Sequence, residues 1–70
     1  MHNEDCYVGI KVRINLPGND ILDGELGVVV ARDASDEALV RLDTYKSKFD
    51  DYEDTRCGSV TVDPANLEAI

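Results

Sequence analysis

From Tyr7 to Asn15 the chain alternates, with Val8, Ile10, Val12 and Ile14 on one side and Gly9, Lys11 and Arg13 on the other. A period of two puts every second side chain on one face of a pleated strand, so this stretch reads as a half-buried strand with its aliphatic residues inward. Leu16-Pro17-Gly18-Asn19-Asp20 ends it: proline fixes φ, glycine admits positive φ, and Asn or Asp bonds its own backbone. In Ile21-Leu22-Asp23-Gly24-Glu25-Leu26-Gly27 a pair of glycines brackets Leu26 and re-aims the chain. Gly27 then opens Val28-Val29-Val30-Ala31-Arg32, whose apolar run fits a central strand, either covered on both faces or strongly bent.

Asp33-Ala34-Ser35-Asp36-Glu37 is a short polar link and predicts a hairpin connection. Ala38-Leu39-Val40-Arg41-Leu42 resumes the alternation, with Ala38, Val40 and Leu42 inward and Arg41 outward. Thr44 to Arg56 breaks that rhythm. It carries Tyr45, Phe49 and Tyr52 at i, i+4 and i+7 among many charges, which predicts an ordered excursion, as a short amphipathic helix or a long loop. Period two returns in Cys57-Gly58-Ser59-Val60-Thr61-Val62-Asp63, with Val60 and Val62 inward. Asp63 is then an N-cap and Pro64 a first helical residue, predicting one 3₁₀ turn before Leu67-Glu68-Ala69-Ile70. The predicted core is Val8, Ile10, Val12, Ile14, Leu26, Val29, Val40, Leu42, Val60, Val62, Leu67 and Ile70, and residues 1–6 are expected to be a flexible N-terminus.

With 70 residues, the chain has room for a single domain that buries roughly 60% of its unfolded surface. A hydrophobic share of 43% and a charged share of 31% are those of a folding chain. The apolar run Val28 to Ala31 falls far short of the roughly 18 residues that span a bilayer, and the first residues are polar and acidic, so a cytoplasmic protein without membrane insertion is expected. Fifteen acidic against seven basic residues give a net charge of -8, which repels phosphate backbones and argues against direct nucleic-acid binding. Cys6 and Cys57 are expected to be reduced thiols; paired, they would contribute about 4 kcal/mol in the chain-entropy model.

Gly9-x-Lys11-Val12-Arg13-Ile14, Gly24-x-x-Gly27-x-Val29, Val40-Arg41-Leu42-Asp43 and Val60-x-Val62-x-Pro64-x-x-Leu67-Glu68 follow one another in an order that resembles an SH3-like barrel, over Val8 to Ile70. The layout is similar to the KOW-like modules of ribosomal and transcription proteins, and more so to the small photosystem I reaction-centre subunit IV family. The resemblance implies an all-β, five-stranded SH3-like barrel with a one-turn 3₁₀ helix before its last strand, and a non-enzymatic role. The chain departs from both families: RNA-holding KOW-like modules are basic, and Thr44 to Arg56 does not look like the photosystem subunit's polar loop.

Asp50, Asp51, Glu53 and Asp54 crowd carboxylates of the type that hard cations take, but the glycine-bearing alternation of a calcium loop is missing, so no metal is expected. His2 is near-terminal and neither cysteine has a helper, so no catalytic residue and no cofactor are assigned. The expected function is a non-catalytic protein-binding module. Tyr45, Phe49 and Tyr52 anchor a basic partner that Asp50, Asp51, Glu53 and Asp54 steer. Lys11, Arg13, Arg32 and Arg41 form a candidate basic stripe. The alternatives are an acidic nucleic-acid-mimicking inhibitor and a docking subunit like that of the photosystem family.

Overall fold

The computed structural model describes residues 1–44 and 58–70. They form an antiparallel sheet of five strands: β1 (Lys11–Ile14), β2 (Leu26–Arg32), β3 (Ala38–Leu42), β4 (Ser59–Val62) and β5 (Leu67–Ala69). Its order is β4-β3-β2-β1-β5, so the chain runs as a meander through β4 and returns to lay β5 beside β1. A 3₁₀ turn over Pro64–Asn66 makes that return. Asp63 caps it, its Oδ1 accepting the Ala65 N–H at 2.9 Å, and Pro64 occupies the first turn, where no N–H is needed. The all-β class and the placement of this turn are as the sequence predicts.

Each strand buries alternate residues, and these share one core: Val12 and Ile14 from β1, Val29 from β2, Ala38 and Val40 from β3, Val60 and Val62 from β4, and Leu67 from β5. Ile10 and Leu42 pack on it half-buried. Three predicted core residues lie outside. Val8 is 59% exposed because β1 starts only at Lys11; the Ile10 N–H bonds the Tyr7 carbonyl at 3.2 Å and Gly9 has φ 99°, so Tyr7 to Ile10 is a β-turn that throws Val8 into solvent. Leu26 is 45% exposed because the inward positions of β2 are Gly27 and Val29. Ile70 is 71% exposed, its N–H bonding the Lys11 carbonyl next in register after the Val12–Ala69 pair, on the outward phase that Lys11 occupies.

Cys6 and Leu22 join the core instead, at 4% and 1% exposure. Leu22 gets there because the β1–β2 connection folds on itself. Pro17 and Gly18 form a turn closed by the Asn19 N–H on the Leu16 carbonyl, with Gly18 at φ 90°. Asn19 Oδ1 accepts the N–H groups of Ile21 and Leu22, and Asp23 Oδ1 accepts that of Leu16. With its amides satisfied locally, the loop can bury a leucine. The N-terminal residues are also tied down: Asn3–Asp5 make a 3₁₀ turn, and the Met1 ammonium donates to the carbonyls of Pro64 and Leu67 at 3.1 and 2.8 Å.

β2 bends rather than being covered on both faces. Its register against β3 shifts between Val29 and Ala31, so Val30 is the extra residue of a β-bulge and is 39% exposed. Beyond the bulge the phase inverts, leaving Ala31 opposite Leu39 and Arg32 opposite the inward Ala38. No helix among the described residues is long and apolar enough to cross a membrane.

Candidate interaction surface

Strand register decides which of the predicted basic residues meet. Lys11 pairs with Val28, Val28 with Arg41, and Arg41 with Ser59, so these residues form one row across four strands. Directly paired residues share a face, and Val12, Val29 and Val40 point into the core, so this row faces outward. Lys11 and Arg41 are both exposed, and among the described residues neither reaches a carboxylate within 4 Å. In the adjacent row Arg13 lies between Leu26 and Glu68 in register, and its Nη2 meets Glu68 Oε2 at 3.0 Å. That row ends near Asp43, whose N–H bonds the Leu26 carbonyl. Half-buried Leu39, opposite Ala31 and Thr61, forms the row on the other side.

Arg32 does not belong to this face. The bulge at Val30 has turned it inward, where its guanidinium donates to the carbonyl oxygens of Cys6, Asp36 and Glu37. It ties the N-terminal segment to the β2–β3 hairpin. Within that hairpin Asp33 Oδ1 accepts the N–H groups of Ser35 and Glu37 at 2.9 and 3.0 Å, while Asp36 holds φ 65°. Of the four residues of the predicted stripe, register puts Lys11, Arg13 and Arg41 on one face, while Arg32 lies off it and serves as scaffolding.

The predicted anchors Tyr45, Phe49 and Tyr52 and the carboxylates Asp50, Asp51, Glu53 and Asp54 lie outside the described residues, as does Cys57. The described sheet does fix where that segment starts and stops. β3 and β4 pair from Ala38–Val62 to Arg41–Ser59, and the Leu42 N–H bonds the Gly58 carbonyl at 2.8 Å, so residues 43–58 connect neighbouring antiparallel strands.

At the start of β2 an indentation of about 250 Å³ is lined by Gly24, Glu25, Leu26, Asp43 and Thr44. Glu25 is 8% exposed and Asp43 is exposed, so the lining is acidic. Among the described residues no group of three or more His, Cys, Asp or Glu side chains is placed to hold a metal ion. His2 is exposed, and Cys6 is a buried free thiol. No protein-family model matches the chain, and searches of curated proteins and of solved structures find no significant match.

Proposed function

We propose that this chain is a non-catalytic protein-binding module of SH3-like layout, acting in the cytoplasm, with the sheet as scaffold and the β3–β4 connection as its docking element. The observation that carries the reading is the clamped base of that connection. Residues 43–58 leave and re-enter adjacent strands, and the length exceeds the roughly 12–15 residues beyond which connections in compact domains are usually functional or disordered. Within it the sequence concentrates Tyr45, Phe49 and Tyr52 with Asp50, Asp51, Glu53 and Asp54, aromatic anchors beside carboxylates. A basic partner is steered by the carboxylates and held by the aromatic rings.

The test is capture from the native host with the wild-type chain and with the Tyr45→Ala, Phe49→Ala, Tyr52→Ala triple variant. The wild type retains a partner and the folded triple variant loses it; equal capture by both refutes this choice of surface. The net charge of -8 also supports a second reading, an acidic inhibitor occupying a basic nucleic-acid groove. Salt separates the two. A phosphate mimic loses affinity steeply as ionic strength rises, whereas an aromatic-anchored contact loses little.

A further inference from the structure

We propose a second docking surface, of opposite sign, on the outer face of β1–β3, where the Lys11–Val28–Arg41 row takes an acidic segment of a partner protein. Strand register gathers most of the described cations on one face. Lys11, Arg13, Arg32 and Arg41 are the lysines and arginines among the described residues, and register collects three of them on this face with half-buried Val28 between Lys11 and Arg41. Leu26 and Val30, 45% and 39% exposed, extend the apolar strip along β2 to either side of Val28. In a chain of net charge -8, cations crowded around exposed aliphatic side chains are the part of the surface that complements an acidic ligand.

The neighbouring row carries a carboxylate of this chain's own. Glu68 lies opposite Arg13 in register and makes a single Nη2–Oε2 contact at 3.0 Å with both side chains about half exposed, so one cation of the three carries a carboxylate supplied by β5. Lys11 and Arg41 have no such counterpart among the described residues. They lie on strands separated by two inter-strand spacings, roughly 10 Å. The ligand is therefore a short peptide stretch with carboxylates about that far apart and an aliphatic side chain between them to cover Val28. A nucleic acid fits less well: among the described residues the apolar centre, Val28 with Leu26 and Val30, offers no ring on which a base could stack.

The experiment is an NMR titration of the whole chain at about 0.1 M salt with three probes: a blocked heptapeptide whose second, fourth and sixth residues are glutamate, leucine and glutamate and whose others are serine, so that the three share one face when extended, its lysine-for-glutamate counterpart, and an eight-residue oligothymidylate. The glutamate peptide moves the amide signals of Lys11, Val28 and Arg41. The Lys11→Gln/Arg41→Gln variant, whose folding is checked by its melting temperature, binds it about tenfold more weakly, the loss expected for two exposed charge contacts. Absence of shifts, equal binding of the lysine peptide, or an unchanged affinity in the double variant overturns the proposal. Tighter binding of the oligothymidylate overturns it in favour of nucleic acid. Binding seen only when residues 45–57 are replaced by a short Gly/Ser connection overturns it in favour of an occupant within the same chain. These outcomes are independent of the aromatic triple variant, so this surface and the β3–β4 connection stand or fall separately.

Discussion

Gly27→Ala probes how closely β3 approaches its neighbour β2 at Gly27. Gly27 is buried opposite Leu42, at a position whose strand phase points into the core. A Cβ placed there sits 2.5 Å from the Arg41 carbonyl oxygen and 2.7 Å from Val40 Cγ1, where relaxed carbon contacts need about 3.5–4 Å. Relief requires moving the β3 backbone at Arg41, and with it Val40, which is itself fully buried. Overpacking costs about 1–3 kcal/mol, and an obstruction made of backbone belongs at the upper end. A chain of this length has a total stability of about 4–10 kcal/mol, so a loss near 3 removes about 30–75% of it and lowers the melting temperature by about 12–24 °C.

Urea unfolding followed by far-UV circular dichroism measures this, with Gly24 as the control. Gly24 holds φ +81° but has open space where its Cβ would go. Gly24→Ala therefore costs about 1–2 kcal/mol for conformational reasons, and Gly24→Asn, which tolerates the left-handed region, recovers most of it. At position 27 asparagine does worse than alanine, because the obstacle there is space. Gly27→Ala within about 0.5 kcal/mol of wild type at unchanged m-value, the scatter of a benign surface change, refutes the close approach of β3.

Arg32→Gln removes the charged donor shared by the Cys6, Asp36 and Glu37 carbonyls and destabilises by about 2 kcal/mol. Arg32→Lys recovers less than half of that, since an ammonium cannot reproduce the fork; full rescue by lysine in the same unfolding assay contradicts the clamp. Leu22→Ala lowers stability by about 2–5 kcal/mol despite lying in a polar connection, and a loss below about 1 kcal/mol shows that the loop does not seal the core. Asp33→Ala orphans the Ser35 and Glu37 amides and costs about 1 kcal/mol, read as faster hydrogen exchange in the hairpin before any global change.

What the sequence made legible was phase within regular strands. Val12, Ile14, Ala38, Val40, Val60 and Val62 are inward as the period of two requires, and Asp63-Pro64 specified its turn through local chemistry alone. The departures arise where a long-range partner decides. Val8 continues the alternation of β1 in sequence, yet the Ile10–Tyr7 hydrogen bond makes its segment a turn. Val28 to Ala31 are all small and apolar, so no side chain marks which of them is bulged; pairing with β3 selects Val30 and thereby sends Arg32 inward. Leu22 sits among turn-formers, and its adjacency to Ile21 in a polar stretch was the one available hint of burial. Lys11 and Arg41 are far apart in sequence and become neighbours only through Val28, so the cationic row is a product of register.

That row sits on a chain whose overall charge opposes it, which fixes how binding of an acidic peptide depends on salt. At about 0.01 M salt the Debye length is about 30 Å, close to the 32 Å long axis of the described fold, so an approaching carboxylate senses the whole net charge of -8 and is repelled. At about 0.1 M the length falls to about 10 Å, which screens distant acids while leaving contacts with Lys11 and Arg41 largely intact. Near 1 M it is about 3 Å, and those contacts are screened as well. Affinity for the glutamate–leucine peptide therefore passes through a maximum near 0.1 M, whereas a uniformly acidic surface repels the peptide less and less as salt rises, with no decline. In Lys11→Gln/Arg41→Gln the fall above 0.1 M disappears and only the rise remains. A monotonic decrease in the wild type shows that the cationic row dominates at every distance; a monotonic increase shows that it attracts nothing, and the gathering of cations by strand register then has no bearing on binding.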